Sequence, residues 1–413
     1  MYTRILNIWS NFRVSFWFIP TLLLIGSILA AGGMIFVDHS IGTYLVDLYP
    51  PLKMSPDSAR SILSSIVAAM VSTTGVVFSI TIVALSLSSS HFGSRLIRTY
   101  RKRHTTHFTL GIFVSTSLFC IIVLASIRDQ ESVEFVPTAS VLIGIILSTL
   151  CLTTLVYYIH DMSRAIEAPN VIQSSANDLT DAVKRLFPET LGKDPSDSAS
   201  EPPKLPSSAD FDVLSDQTGY LQAVENETVM AIAKDNDVTI KLMIRPGDFV
   251  FEKVVIAQVL GAQSNPAQSK TKNDDDLKQK ISKAISKSMI VGPERTHIQD
   301  IRHAFNEVVD IAVRALSPGI NDPFTAINCV DRILAGLALL QDRTIPQANR
   351  FDEEGNLRVI ATPIGLEECI QGSLGMIYNY AADSPTVMRR IEEATEILES
   401  RSNVTTLNNQ RSN

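Results

Sequence analysis

Cysteine is scarce in this chain. Four stand among 413 residues, at Cys120, Cys151, Cys329 and Cys369, and no two form a CxxC pair. That excludes a disulfide framework and a thiolate zinc site, and the four read as small buried hydrophobes. Basic charge is also short. Thirty-six Lys and Arg stand against 43 Asp and Glu, so the cationic surface that nucleic acid requires is missing and no nucleic-acid partner is expected. There is no Gly-rich phosphate loop and no nucleophile with a neighbouring base. An enzyme is therefore the less favoured class, and no catalytic residue or cofactor is assigned. Asp300, Asp310, Asp322 and Asp331 are the carboxylates an enzyme would use, but acids near helix ends are usually solvated or capping. His297, Asp300 and His303 stand at i, i+3 and i+6, which spreads them around a helix. With no His-Glu-x-x-His pattern, no metal is assigned.

What the chain has is long apolar runs, all of them early. Met1 to His160 carries ten Lys/Arg and six Asp/Glu; the remainder carries 26 and 37. A basic apolar half followed by an acidic half points to a membrane anchor with a water-exposed domain. Four runs are long enough to cross a ~30 Å hydrocarbon core: Val14 to Val37, Ser61 to Ser90, Phe108 to Ile127 and Phe135 to Ile159. The first is too long for the h-region of a cleaved signal peptide. Trp9, Trp17, Tyr157 and Tyr158 suit interface anchoring. No Asp, Glu, Lys or Arg falls in any run, which counts against a proton-coupled pump with its titratable relay. The connection Arg95 to His104 holds five Lys/Arg and no acid, whereas the first and third connections are acidic on balance. The bias places both termini and the large domain on the cytoplasmic side of a multi-pass membrane protein.

The second run, "SILSSIVAAMVSTTGVVFSITIVALSLSSS", is thirty residues without a charge. Ser65, Ser72, Gly75, Ser79 and Ser86 recur at helical spacing on one stripe. Small residues let helices approach closely, so the stripe reads as a helix interface or as the lining of a pore on an oligomer axis. Arg95, Arg98 and Arg101 would stand at its cytoplasmic mouth.

After a helix through Asp161 to Phe187 and a Pro/Ser/acid-rich linker, β-branched runs mark strands in "FDVLSD", "VTIKLMI" and "DFVFEKVVIAQVL". "GYLQAVENETVMAIAKDND" between them is helical by period. "RPGDFVFEKVVIAQV" is similar to a lipoyl-carrier hairpin, but shows no lysine in a tight turn and so reads as structural. Further on, Ile301 to Ala315 and Ile327 to Leu337 give two amphipathic helices. In "ALSPGINDPFTAIN", Pro318-Gly319 stops the first, and Asn321 or Asp322 caps the second ahead of Pro323.

The segments "TTGVVFSITIVALSLSSSHFGSRLI", "RPGDFVFEKVVIAQV" and "GPERTHIQDIRHAFNEVVDIAVRALSPGINDPFTA" occur here in the order of a bacterial integral-membrane family of unknown function (domain of unknown function 2254), which the chain resembles from Met1 to Glu399. The resemblance supplies no activity. It implies a common ligand or interface site that includes Arg295, Asp300, Arg314, Asn321 and Asp322.

The expected architecture is an α-helical membrane domain with four transmembrane helices plus a cytoplasmic α+β domain, comprising a small β-barrel or sandwich and a helical hairpin region. Its parts are 1–160 in the membrane, 161–210 a connecting helix and linker, 211–264 the β-rich module, 265–399 helical, and 400–413 a polar tail. Two functions follow. One is a homo-oligomeric channel for an ion or small solute, with a hydroxyl-lined pore and a cytoplasmic vestibule. The other is a membrane-anchored sensor or scaffold that binds a small ligand or a protein through its cytoplasmic domain. The lipid bilayer is the partner common to both.

Overall fold

The computed structural model describes residues 18–48, 54–92, 104–130, 133–187, 209–261 and 272–411. They form two compact units, divided after Asn170.

The first unit is helical: α1 (Phe18–Leu48), α2 (Pro56–Phe92), α3 (His104–Ser126) and α4 (Thr138–Ile166), with the short antiparallel hairpin β1 (Arg128–Gln130) and β2 (Val133–Phe135) before α4. Each apolar run became one helix, longer than the run itself because polar residues at the ends continue the backbone hydrogen bonding. Helix α3 is the centre. Its apolar stretch is 56% buried, against 6 to 22% for those of α1, α2 and α4. Gly111 permits this closeness, since a Cβ there would meet Leu23 at 2.7 Å and the Pro20 backbone at 3.1 Å. Small residues serve membrane helix packing in just this way.

Two polar contacts pin the bundle. The Tyr158 hydroxyl lies 2.6 Å from Thr81 Oγ1 and donates to the Val77 carbonyl, joining α4 to α2. Tyr158 is fully buried, so of the two tyrosines it is Tyr157 that is exposed. Asp38 lies one residue past the expected first run, yet inside α1. It is buried, and its carboxylate accepts from the Ala139 and Ser140 amides, each at 2.9 Å, and from the Ser140 hydroxyl. Pro137, just before α4, makes no side-chain cap; a carboxylate from another helix does so instead, held by the amide groups and dipole of the helix start.

The second unit opens within α5 (Ala168–Leu186), which starts after an extended break at Glu167 and buries Val171, Ile172, Leu179 and Val183 on one face. The strands form open sheets. One has five strands in the order β3 (Phe211–Leu214), β7 (Val255–Leu260), β5 (Thr239–Leu242), β10 (Leu357–Ile360) and β9 (Asn349–Phe351). The other has three, β6 (Phe249–Val250), β4 (Gly219–Val224) and β8 (Met289–Gly292). Strand β10 runs parallel to β5 and the other pairings are antiparallel. Both sheets share one core with α6 (Asn226–Asp235) and α7 (Lys272–Ser288), built on Val213, Leu221, Ile240, Ala257, Ile285 and Val359. Gly219 to Val224, helical by period, is a strand. Its alternating burial fits a strand paired on both sides, and the helix starts only at Asn226.

The rest is helical: α8 (Ile301–Ala315), α9 (Pro323–Gln341), α10 (Leu366–Ile370), a π turn (Gln371–Gly375), α11 (Met376–Tyr380) and α12 (Pro385–Arg411). Five described helices are long and apolar enough to cross a membrane, the fifth being α9. Its face of Ala326, Cys329, Val330, Ile333 and Leu337 is buried in the second unit, and its Asp331 pairs with Arg390 of α12 at 2.7 Å. Gly336 lets Leu179 of α5 approach to 2.7 Å of where a Cβ would stand. All four cysteines are buried free thiols.

The β9–β10 hairpin is closed by Asp352, which accepts from the Glu354 and Asn356 amides and from Arg358 Nε at 2.7 Å. The Arg358 hydrogen bond holds the Asp352 carboxyl well below the usual carboxylate range. A folded pKa below the unfolded value of about 3.9 makes this contribution complete above that pH. It is lost as pH falls below about 4 towards the folded value. Arg358→Leu is therefore expected to flatten the acid limb of the stability curve below pH ~4, read as denaturant midpoints at successive pH values. An unchanged acid limb would show that the pair does not respond to folding.

Candidate ligand-binding site

The site starts with a tight turn. In Arg245-Pro246-Gly247-Asp248 the proline presets the first corner and Gly247 takes φ +93 at the second, as a type II turn demands. The Asp248 amide donates to the Arg245 carbonyl at 3.0 Å, and the Asp248 carboxylate accepts from the Arg245 amide at 2.9 Å. The Gly247 amide donates to the Leu221 carbonyl of β4 at 2.7 Å, which ties the turn to the three-stranded sheet. A Cβ on Gly247 would run into the Asp300 carboxylate.

Asp300 is fully buried and starts α8, accepting from the His303 amide at 3.3 Å. Its other oxygen accepts from Arg295 through Nε at 3.0 Å and Nη2 at 2.6 Å. A buried carboxylate needs such partners. Arg302, one residue into α8, donates to the Pro246 carbonyl at 3.0 Å and to Asp248 at 2.8 Å, and lies 3.5 Å from both Asp300 and Glu368. Arg245 holds Glu368 of α10 with two parallel hydrogen bonds, 2.8 and 2.9 Å, the geometry in which the guanidinium fork is strongest. Three arginines and three carboxylates thus form one continuous, charge-balanced network. Burial pulls the Arg302 pKa down. The hydrogen bond to Asp248 and the charges of Asp300, Asp248 and Glu368 outweigh it and leave the pKa above the ordinary arginine value.

Beside this network lies a cavity of about 420 Å³, lined by Arg295, Arg302, Phe305, Asn306 and Glu368 and by Cys369, Gln371 and Gly372. Gln371 and Gly372 open the π turn. Burial pushes the Cys369 thiol up to about 12, so it stays protonated and is no nucleophile at neutral pH.

A family model described as "Predicted membrane protein (DUF2254)" matches residues 13–396. The chain belongs to that family. The matched span holds every residue of the DUF2254 chain's ionic network. Uncharacterized proteins of Mycobacterium bovis and of Mycobacterium tuberculosis are each 29% identical to it over 304 residues, 73% of this chain and 56% of theirs. It spans about half the length of the curated relatives it matches. No solved structure matches it.

The DUF2254 fold divides the five residues expected at one ligand or interface site. Arg295 and Asp300 meet at the start of α8. Arg314, Asn321 and Asp322 lie at its far end, about 21 Å along the helix at 1.5 Å per residue. There Asp322 caps α9 by accepting from the Thr325 amide at 3.0 Å, Asn321 takes φ +49, and Arg314 lies 3.8 Å from Asp310. The hairpin turn is thus a stop and a cap, with Asp322 rather than Asn321 as the capping side chain. Among the described residues no group of His, Cys, Asp and Glu is placed to hold a metal. In the first unit Ser65, Ser72, Gly75, Ser79 and Ser86 are all exposed on α2. Arg95, Arg98 and Arg101 lie outside the described residues, as do Trp9 and Trp17. Arg245, Asp248, Arg302 and Glu368 escaped sequence reading. The "RPGD" turn was visible, but nothing local links Arg245 to a glutamate 123 residues away.

Proposed function

We propose that the protein is a membrane-anchored sensor or scaffold whose second unit binds a small polar ligand. One observation carries this reading: the cavity of about 420 Å³ walled by Arg295, Arg302 and Glu368, with a π turn on its other side. Ligand sites commonly enclose roughly 300–1,000 Å³ with a few fixed polar groups, and π turns inside helices often mark functional positions. Its arginines are already matched by carboxylates, and Asn306 and Gln371 add amide donors and acceptors. A zwitterionic or neutral, hydrogen-bonding ligand fits that balance better than a strong anion. In this reading four helices of the first unit span the bacterial inner membrane, and the Lys/Arg bias puts both termini and the second unit in the cytoplasm. The test is thermal unfolding of the full chain in zwitterionic nanodiscs against a panel of amino acids and nucleosides. At least one should raise the midpoint, and Asn306→Leu should abolish that rise. A panel with no stabilising compound would count against the reading.

A homo-oligomeric channel is the second reading, favoured by the exposed small-residue stripe of α2. Such a stripe suits close helix contact between copies or a hydroxyl-lined passage. Planar-bilayer recordings that never rise above background would remove the passage, and a monomer in nanodiscs would remove the contact.

A further inference from the structure

We infer that the second unit carries another binding site, one for an oxyanion borne on a compact apolar body. It lies in a cavity of about 310 Å³ bounded by the end of α5, the segments that follow β5 and β10, and strand β9. The cavity has two kinds of wall. Phe187, Val224, Leu242, Ile244 and Ile301 give it an apolar floor, and Arg185, Arg245 and Arg350 are its charged lining residues. Among the described residues no aspartate or glutamate lines it.

The three arginines differ in how far their charge is met. Arg245 is held by Glu368 at 2.8 and 2.9 Å and is neutralised there. Arg185 donates to a neutral acceptor, the His297 carbonyl, at 2.6 Å. Arg350, on the edge strand β9, has no ion pair among the described residues. The cavity therefore keeps two guanidinium charges that no carboxylate among the described residues offsets, in a chain whose formal net charge is −7. Overall composition does not explain a cationic hollow on so acidic a protein. A guanidinium presents a planar fork of donors that matches carboxylate and phosphate oxygens. Oxyanion recognition by Arg185 and Arg350, with burial of an apolar body against Phe187 and Ile244, uses both kinds of wall. The site is separate from the cavity on the π turn, whose arginines are matched, and does not depend on it.

The experiment is isothermal titration of the full chain in zwitterionic nanodiscs with four probes. Phenyl phosphate and benzoate carry both features, inorganic phosphate lacks the apolar body, and phenyl β-glucoside lacks the charge. Saturable binding is expected for at least one of the first two. Inorganic phosphate should bind at least roughly tenfold more weakly than that probe, and the glucoside not measurably. Arg350→Gln and Arg185→Gln should each weaken binding roughly tenfold, as loss of a charged hydrogen-bond partner implies, with the unfolding midpoint unchanged. Asn306→Leu, in the other cavity, should leave binding as it was. The inference is overturned if neither phenyl phosphate nor benzoate binds, if the glucoside binds as tightly as they do, or if the Arg185→Gln/Arg350→Gln double variant binds like the parent. Binding that Asn306→Leu removes would overturn it as well, and would place the anion in the other cavity.

Discussion

Asp38→Ala is expected to destabilise the helical unit by about 3 kcal/mol. The variant leaves the Ala139 and Ser140 amides and the Ser140 hydroxyl without their acceptor. An orphaned buried donor costs about 1–3 kcal/mol, and loss of a helix cap alone costs about 0.5–2 kcal/mol. The two estimates overlap, since the amides are the capped groups, so about 3 kcal/mol is an upper-middle value. For a unit of this size that is a fall of roughly 6–12 °C in the unfolding midpoint. Asp38→Asn keeps one acceptor oxygen and should lose about 1 kcal/mol, because its NH2 group cannot accept the second amide. Asp57→Ala is the control. The Asp57 side chain is 90% exposed and lies 3.6 Å from Arg60 one turn away, a surface pair of little consequence. Thermal unfolding of the full chain in detergent, followed by tryptophan emission, separates the three variants. Equal midpoints for Asp38→Ala and Asp57→Ala would show that the α4 cap contributes nothing.

Legibility in the sequence follows the range of the interaction. The apolar runs were legible because hydropathy accumulates residue by residue, and each became a helix. The α8–α9 turn was legible because Pro318, Gly319, Asp322 and Pro323 act on their own backbone. The count of spans was less so: α9 meets the same length and apolarity that define the others. Strands β8, β9 and β10 were not marked at all. They are four residues or fewer, too short for a period to show, and β10 is stabilised by pairing with β5 more than a hundred residues earlier. The Asp38 cap and the Arg245–Glu368 pair share that character. In both, the chemistry is ordinary and the partner is remote. Arg295 and Asp300 were brought to one site only by the family resemblance, and the link to the "RPGD" turn exists only once the sheet has placed Gly247 against Asp300.

That placement makes Gly247 a sensitive position in the second unit. Gly247→Ala is expected to lose about 3–5 kcal/mol, the cost of breaking a buried ion pair by disturbing one partner, with backbone strain of about 1–2 kcal/mol at φ +93 included. The new methyl has nowhere to go. It meets the Asp300 carboxylate and stands 2.9 Å from Arg295 Nη2. The turn cannot retreat without giving up the Gly247 amide bond to Leu221 and the Arg302 bond to the Pro246 carbonyl. Asp300→Ala should cost a similar amount, since it removes the α8 cap and the partner of Arg295 together. The two losses should not add. With the carboxylate gone, Gly247→Ala has only its backbone strain left, about 1–2 kcal/mol. The cycle should then show a coupling of at least about 1 kcal/mol. Hydrogen exchange of the α8 amides in the full chain reads the second unit directly, since both tryptophans lie near the N-terminus. Additive losses would mean that Gly247 and Asp300 act separately, and the turn would then be a bystander to the network beside the cavity.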